Sequence, residues 1–102
     1  MLKTLEDLIL LVRERKSSSS ENSYTAKLLK DKNLNTSKVK EEINELLESV
    51  ENNTNKIHEA ADVFYHLIVY LEANGVKIED IMEELNKRKK WVTTIITYLQ
   101  KF

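Results

Sequence analysis

The chain has 102 residues, room for one domain with a modest core, of which 41% are hydrophobic and 32% charged. Sixteen Lys and Arg against 17 Asp and Glu leave a net charge of −1, which argues against bulk attraction to nucleic acid as the main activity. The absence of cysteine rules out disulfides and thiolate chemistry, and two histidines, His58 and His66, are too few for a histidine-rich metal site.

The first residues, Met1-Leu2-Lys3-Thr4-Leu5-Glu6-Asp7, carry acids where a secretory leader would need an apolar core, so none is expected. Thr4 with Asp7 reads as a helix start. Leu5, Leu8, Ile9 and Val12 then repeat at helical spacing as far as about Lys16. Ser17 to Asn22 form a polar, low-complexity stretch read as a mobile loop. Tyr24 to Leu29 suit a short helix, and Asp31 to Thr36 read as loop. A second long helix is predicted from Ser37 to about Val50, broken by Glu51-Asn52-Asn53-Thr54. A third covers about Asn55 to Ala73, with Asn74-Gly75 as its left-handed stop. Val76, Ile78, Ile81, Met82 and Leu85 outline a fourth, ending in Lys87-Arg88-Lys89-Lys90. Residues 91–102 form a tail, helical by its spacing of Val92, Ile95, Ile96 and Leu99, although its β-branched residues also suit a strand. It is expected to pack on the domain (1–90) or on a second copy; weak attachment to a membrane surface is the lesser expectation. With no proline and one glycine to make turns, and no apolar run of about 18 residues to cross a membrane, the chain reads as an all-α domain in a reducing cytoplasm.

Two helices carry the chemistry. On the second, the apolar set centres on Val39, Ile43 and Val50. Glu42 and Glu45 lie on one flank with Lys38 and Ser49, and Glu41 points away from the core. The third helix is apolar around nearly its whole circumference, yet Glu59, Asp62 and His66 insert a polar stripe at spacings of three and four. Ionised carboxylates in such surroundings are costly without a cation or donors. A pair from each helix can converge, and four hard oxygen donors suit Mg²⁺ or Mn²⁺, which commonly act on phosphates. The plain reading of Glu42 and Glu45 alone is a solvated helix face, and His66 reads as a hydrogen-bonded core or rim group. A helix apolar all round in so short a chain also predicts that a second subunit supplies a wall, hence a homodimer.

Glu41-Glu42-Ile43-Asn44-Glu45, then 13 residues, then Glu59-Ala60-Ala61-Asp62 resembles the EExxE…ExxD signature of the all-α, MazG-like nucleoside-triphosphate pyrophosphohydrolases. Arg13-Glu14-Arg15-Lys16, Ser23-Tyr24-Thr25-Ala26-Lys27-Leu28-Leu29 and the run Glu59 to Leu67 are similar to the phosphoribosyl-ATP pyrophosphohydrolases within it. The resemblance covers about residues 2–90. It implies a four- to five-helix bundle completed by homodimerisation, and Mg²⁺-dependent hydrolysis of phosphoribosyl-ATP to phosphoribosyl-AMP and pyrophosphate in histidine synthesis. By the same resemblance Glu42, Glu45, Glu59 and Asp62 are the catalytic acids and would hold the metal. Lys38 and the segment Ser23, Tyr24, Thr25 and Lys27 would lie near the phosphates.

Two departures stand out: Lys40 where the family usually has glycine, on the outer helix face, and a loop 17–22 without its usual proline or glycine. Glu45 is the candidate to orient water, and Lys27, Lys38, Arg15 and Lys16 are the cations available to offset phosphate charge. Arg13, Arg15 and Lys16 equally suit a helix C-terminus; Ser23 and Thr25 equally suit caps, and Tyr24 plain packing. Two rival functions remain at this point: a house-cleaning pyrophosphohydrolase acting on dNTPs, and a non-catalytic dimeric helical interaction module.

Overall fold

The computed structural model describes residues 2–17 and 23–100, with side chains as far as Lys89. Five helices and, among the described residues, no strand follow in order: α1 (Lys3–Ser17), α2 (Tyr24–Lys30), α3 (Lys32–Asn52), α4 (Lys56–Ala73) and α5 (Ile78–Gln100). The all-α expectation holds. Most of the loop read at 17–22 lies outside the described residues, and Ser17 is the last residue of α1.

The helix ends show how so few turn residues suffice. At the end of α4, Val76 N–H donates to the Leu71 carbonyl (2.9 Å) and Gly75 N–H to that of Glu72 (3.3 Å), with Gly75 left-handed at φ +72°. That is a Schellman end, where glycine pays no Cβ penalty. The end of α3 is built the same way with asparagine: Thr54 N–H donates to Ser49 O (2.9 Å), and Asn53 stands at φ +56°. Asparagine tolerates this region because it can bond locally.

Three boundaries differ from the sequence reading. Thr4 is not a cap, because α1 already includes Lys3. Residues 32–36 are helix, since Asp31 accepts from Leu34 N–H (3.0 Å) and starts α3 five residues earlier than expected. One cap outweighs the poor helix propensity of Asn33, Asn35 and Thr36. Finally, α5 continues unbroken past Lys87-Arg88-Lys89-Lys90 to Gln100, there being no glycine or proline to stop it. The packing of residues 91–102 lies beyond the described side chains.

The apolar core sits where α1, α2 and α4 meet: Ile9 and Val12, Leu28, and Ile68 and Val69 are buried, with Leu5, Leu8, Leu34, Tyr65 and Ile78 packed around them. Each fully buried aliphatic there contributes about 1.5–3 kcal/mol. Against this core α3 turns a polar edge. Its buried residues are Asn35, Glu42 and Ser49, seven apart, whereas Ile43, Leu47 and Val50 stay exposed. Of the apolar stripe read as the inner face of this helix, Ile43, Leu47 and Val50 therefore point to solvent in a single chain, while Val39 and Leu46 are half-buried. The helix is rotated so that Glu42 faces α4 and not merely the border of the core.

Arg13 ties the periphery. Its Nε donates to the buried Glu72 (2.9 Å), and its two terminal nitrogens donate to Glu79 at the start of α5. Lys16 Nζ donates to the Glu72 carbonyl (2.7 Å).

Candidate active site

The α3–α4 hairpin brings the four predicted acids together. Oxygens of Glu42, Glu45 and Glu59 lie within 4.8 Å of one another, and so do ligand atoms of His58, Glu59 and Asp62, so Glu59 is common to both groups. Spacing explains the convergence: Glu42 and Glu45 lie one turn apart on α3, Glu59 and Asp62 one turn apart on α4, and the two helices pack side by side.

Electrostatically the group is strained. Glu42 is only 8% exposed, and its Oε2, like Glu59 Oε2, is buried without a hydrogen-bond partner. Burial first, and then the neighbouring Glu45, push the Glu42 carboxyl above its ordinary value. The same two causes raise Glu59. Buried acceptors left unpaired are rare in folded proteins and cost energy. Here they belong to a cluster of hard oxygen donors, the chemistry that Mg²⁺ or Mn²⁺ would satisfy. Lys38 stands beside the group, paired with Glu41 (3.1 Å), which is exposed as expected.

Two adjacent residues of α2 are clasped to two adjacent residues of α4. The Tyr24 hydroxyl meets His66 Nε2 at 3.1 Å, and Thr25 bonds the Tyr65 hydroxyl. His66 Nδ1 in turn donates to the Asp62 carbonyl (2.8 Å). Tyr24 lies within electrostatic reach of Lys38 and Glu42, and burial keeps its hydroxyl above the ordinary tyrosine value. Ser23 caps α2, accepting from Ala26 N–H (3.4 Å).

The remaining predicted residues are not brought to the acids. Lys27 lines an open hollow of about 750 Å³ at the α2–α3 corner with Lys30 and Lys32. Arg15 pairs with Glu14 (3.4 Å), and Lys16 is bound to Glu72, 13 residues along α4 from Glu59 and so about 20 Å away by helical rise. Both lie in the last turn of α1, and Lys16 also serves as a partner for the end of α4.

The profile of the family described as Phosphoribosyl-ATP pyrophosphohydrolase matches residues 5–89, which takes in α2, both acid-bearing helices and the start of α5. The chain belongs to this family. A phosphoribosyl-ATP pyrophosphatase of Clostridium novyi is 44% identical over 94 residues, spanning 86% of this chain and 83% of its own. One from Sulfurisphaera tokodaii is 42% identical over 89 residues, 84% of this chain and 95% of that one. The chloroplastic histidine biosynthesis bifunctional protein hisIE of Arabidopsis thaliana is 40% identical over 95 residues, which is 85% of this chain but 34% of the plant protein.

Within this family member two site features escaped the sequence reading. His58 joins the acid group through Asp62 (Nε2 to Oδ2, 3.4 Å), a helical i,i+4 pairing that the sequence does contain. The Tyr24–His66 contact links residues 42 apart, and nothing local signals it.

Proposed function

We propose that this chain hydrolyses phosphoribosyl-ATP to phosphoribosyl-AMP and pyrophosphate, a step of histidine biosynthesis, in the cytoplasm. Family membership supports the substrate. The observation that carries the chemistry is the buried, unpartnered oxygen pair of Glu42 and Glu59, in a cluster with Glu45 that Glu59 joins to Asp62. Asn35 Oδ1 on α3 is buried and unpartnered too, but only in the acid group do such acceptors converge with neighbouring carboxylates, which weighs against a non-catalytic module.

Glu42, Glu45, Glu59 and Asp62 would hold the divalent ion, with Mg²⁺ preferred and Mn²⁺ able to replace it. When bound, such an ion neutralises phosphate charge and orients water. Glu45, with an oxygen within 4.8 Å of oxygens of both Glu42 and Glu59, has the position to take a proton from the attacking water. The water oxygen bonds to phosphorus as the α–β anhydride P–O bond breaks, and the electron pair leaves on pyrophosphate. Lys38, beside Glu42, offsets charge on the phosphates.

A second copy of the chain completes the fold in this reading. Ile43, Leu47 and Val50 of α3 and Ile57, Phe64 and Leu67 of α4 are exposed, Leu47 by 62% and Ile57 by 89%. So extensive an apolar surface is covered in stable soluble proteins.

The test is pyrophosphate release from phosphoribosyl-ATP with Mg²⁺ and with EDTA, beside a panel of dNTPs. Release that depends on Mg²⁺ and prefers phosphoribosyl-ATP is the expected result; a clear preference for dNTPs would favour a house-cleaning enzyme.

A further inference from the structure

The hollow of about 750 Å³ at the α2–α3 corner is lined by Lys27, Lys30 and Lys32, with Asp31 and Asn33 beside them. All three lysines are exposed, and among the described residues their ammonium groups have neither an ion pair nor a hydrogen bond. Lys3 and Lys38, by contrast, each pair with a carboxylate about one turn away. Asp31 does not offset the three charges freely, because its Oδ1 caps α3 by accepting from Leu34 N–H (3.0 Å). Like charges one helical turn apart repel, so three ammonium groups around one opening leave a positive site with room for an anion.

The position of the hollow relative to the acids names that anion. Lys32 lies ten residues before Glu42 on α3, about 15 Å by helical rise. On α2, Tyr24 lies within electrostatic reach of Lys38 and Glu42, and single turns lead from it to Lys27 and then to Lys30. The phosphates being cleaved belong at the acids. Phosphoribosyl-ATP carries one further phosphate, on the ribose attached to the opposite side of its purine, and a purine with a ribose on either side bridges a span of this order. A dNTP has no counterpart of that group.

We propose that Lys27, Lys30 and Lys32 form a second anion site, which holds the terminal phosphate of the phosphoribosyl arm while the triphosphate lies at the acids. This rests on the pyrophosphohydrolase reading and gives that site a means to prefer phosphoribosyl-ATP over nucleotides without the arm. Lysine suits the task as a compact point charge with three rotatable donors, able to hold a phosphate monoester without a fixed fork. The arm takes no part in bond breaking, so contacts to it that are equal in ground and transition states lower KM more than they raise kcat.

The test uses Lys30→Gln, Lys32→Gln and the double variant Lys27→Gln/Lys30→Gln. KM and kcat are measured for phosphoribosyl-ATP, and inhibition constants for phosphoribosyl-AMP, for AMP, which lacks the arm, and for inorganic pyrophosphate. Each single substitution raises KM about three- to tenfold, a charge-assisted hydrogen bond discounted for exposure, and the double variant raises it further. The phosphoribosyl-AMP constant rises by the same factor, while those of AMP and pyrophosphate keep their wild-type values. Added sodium chloride weakens phosphoribosyl-AMP inhibition more steeply in wild type than in the variants.

AMP or pyrophosphate constants that rise in step with that of phosphoribosyl-AMP would assign these lysines to the cleaved phosphates and overturn the proposal. So would variants whose KM matches wild type. Turnover of phosphoribosyl-ATP that is indifferent to all three lysines defeats this inference alone; a wild-type chain that turns over dNTPs and not phosphoribosyl-ATP defeats the functional reading with it.

Discussion

Glu42 holds its proton more tightly in the folded chain than in the unfolded one, because burial and Glu45 both disfavour its charge. The folded state therefore loses stability as pH rises from the ordinary carboxylate value, 4.5, through the raised one. Glu42→Gln removes that penalty. In EDTA near pH 7 the variant should melt higher than wild type, and the difference should shrink as pH approaches about 4. Differential scanning calorimetry across that range checks it. Mg²⁺ should raise the wild-type melting temperature, by the equivalent of about 2.7 kcal/mol at a hundred times its Kd, and should raise that of Glu42→Gln much less. Glu59→Gln and Asp62→Asn should each lower kcat/KM for pyrophosphate release by about a hundredfold or more while the helical circular dichroism signal persists. Survival of Mg²⁺-dependent release in both would remove the proposed site. These acids were legible in the sequence because polar groups at spacings of three and four break an otherwise apolar helix. His58 was less so, since nothing marks an exposed histidine as a neighbour of acids until the helix is built.

Among the elements, α5 depends on a contact no local pattern encodes. Arg13 joins α1 to the buried Glu72 of α4 and to Glu79 of α5, residues 59 and 66 positions away. The Arg13 guanidinium holds the Glu79 carboxyl down at about 2, so this tie is fully formed above 4.5 and is lost as pH falls through about 2. Arg13→Met strands the Glu72 carboxylate, which is 7% exposed, and should cost about 3 kcal/mol in urea unfolding. Glu79→Gln, at an exposed position, should cost far less. Gly75→Ala is a separate check on the α4 end: an added Cβ meets nothing within 4 Å, so the expected loss of about 1 kcal/mol comes from the left-handed backbone alone. The sequence showed α4 and its stop well, because glycine is specific for that turn. It hid the true start of α3, because a single aspartate cap is easily lost among asparagines and lysines.

For the whole molecule, the fold class was readable from composition, since a chain without proline and with one glycine has few ways to make a sheet. Which side of α3 faces inward was not. Periodicity finds a stripe but does not say whether the stripe is buried by its own chain or by another, and here the polar row at 35, 42 and 49 is inside. If a second copy covers Ile43, Leu47 and Val50, Leu47→Glu should halve the mass seen by light scattering. An unchanged mass would show that this stripe is not the contact.

Glu59 stands in both donor sets, so any two cations lodged there would share one carboxylate. Their isotherm could not be the sum of two independent curves: the first ion to arrive would alter the bargain open to the second, and trimming this single side chain would flatten both phases together.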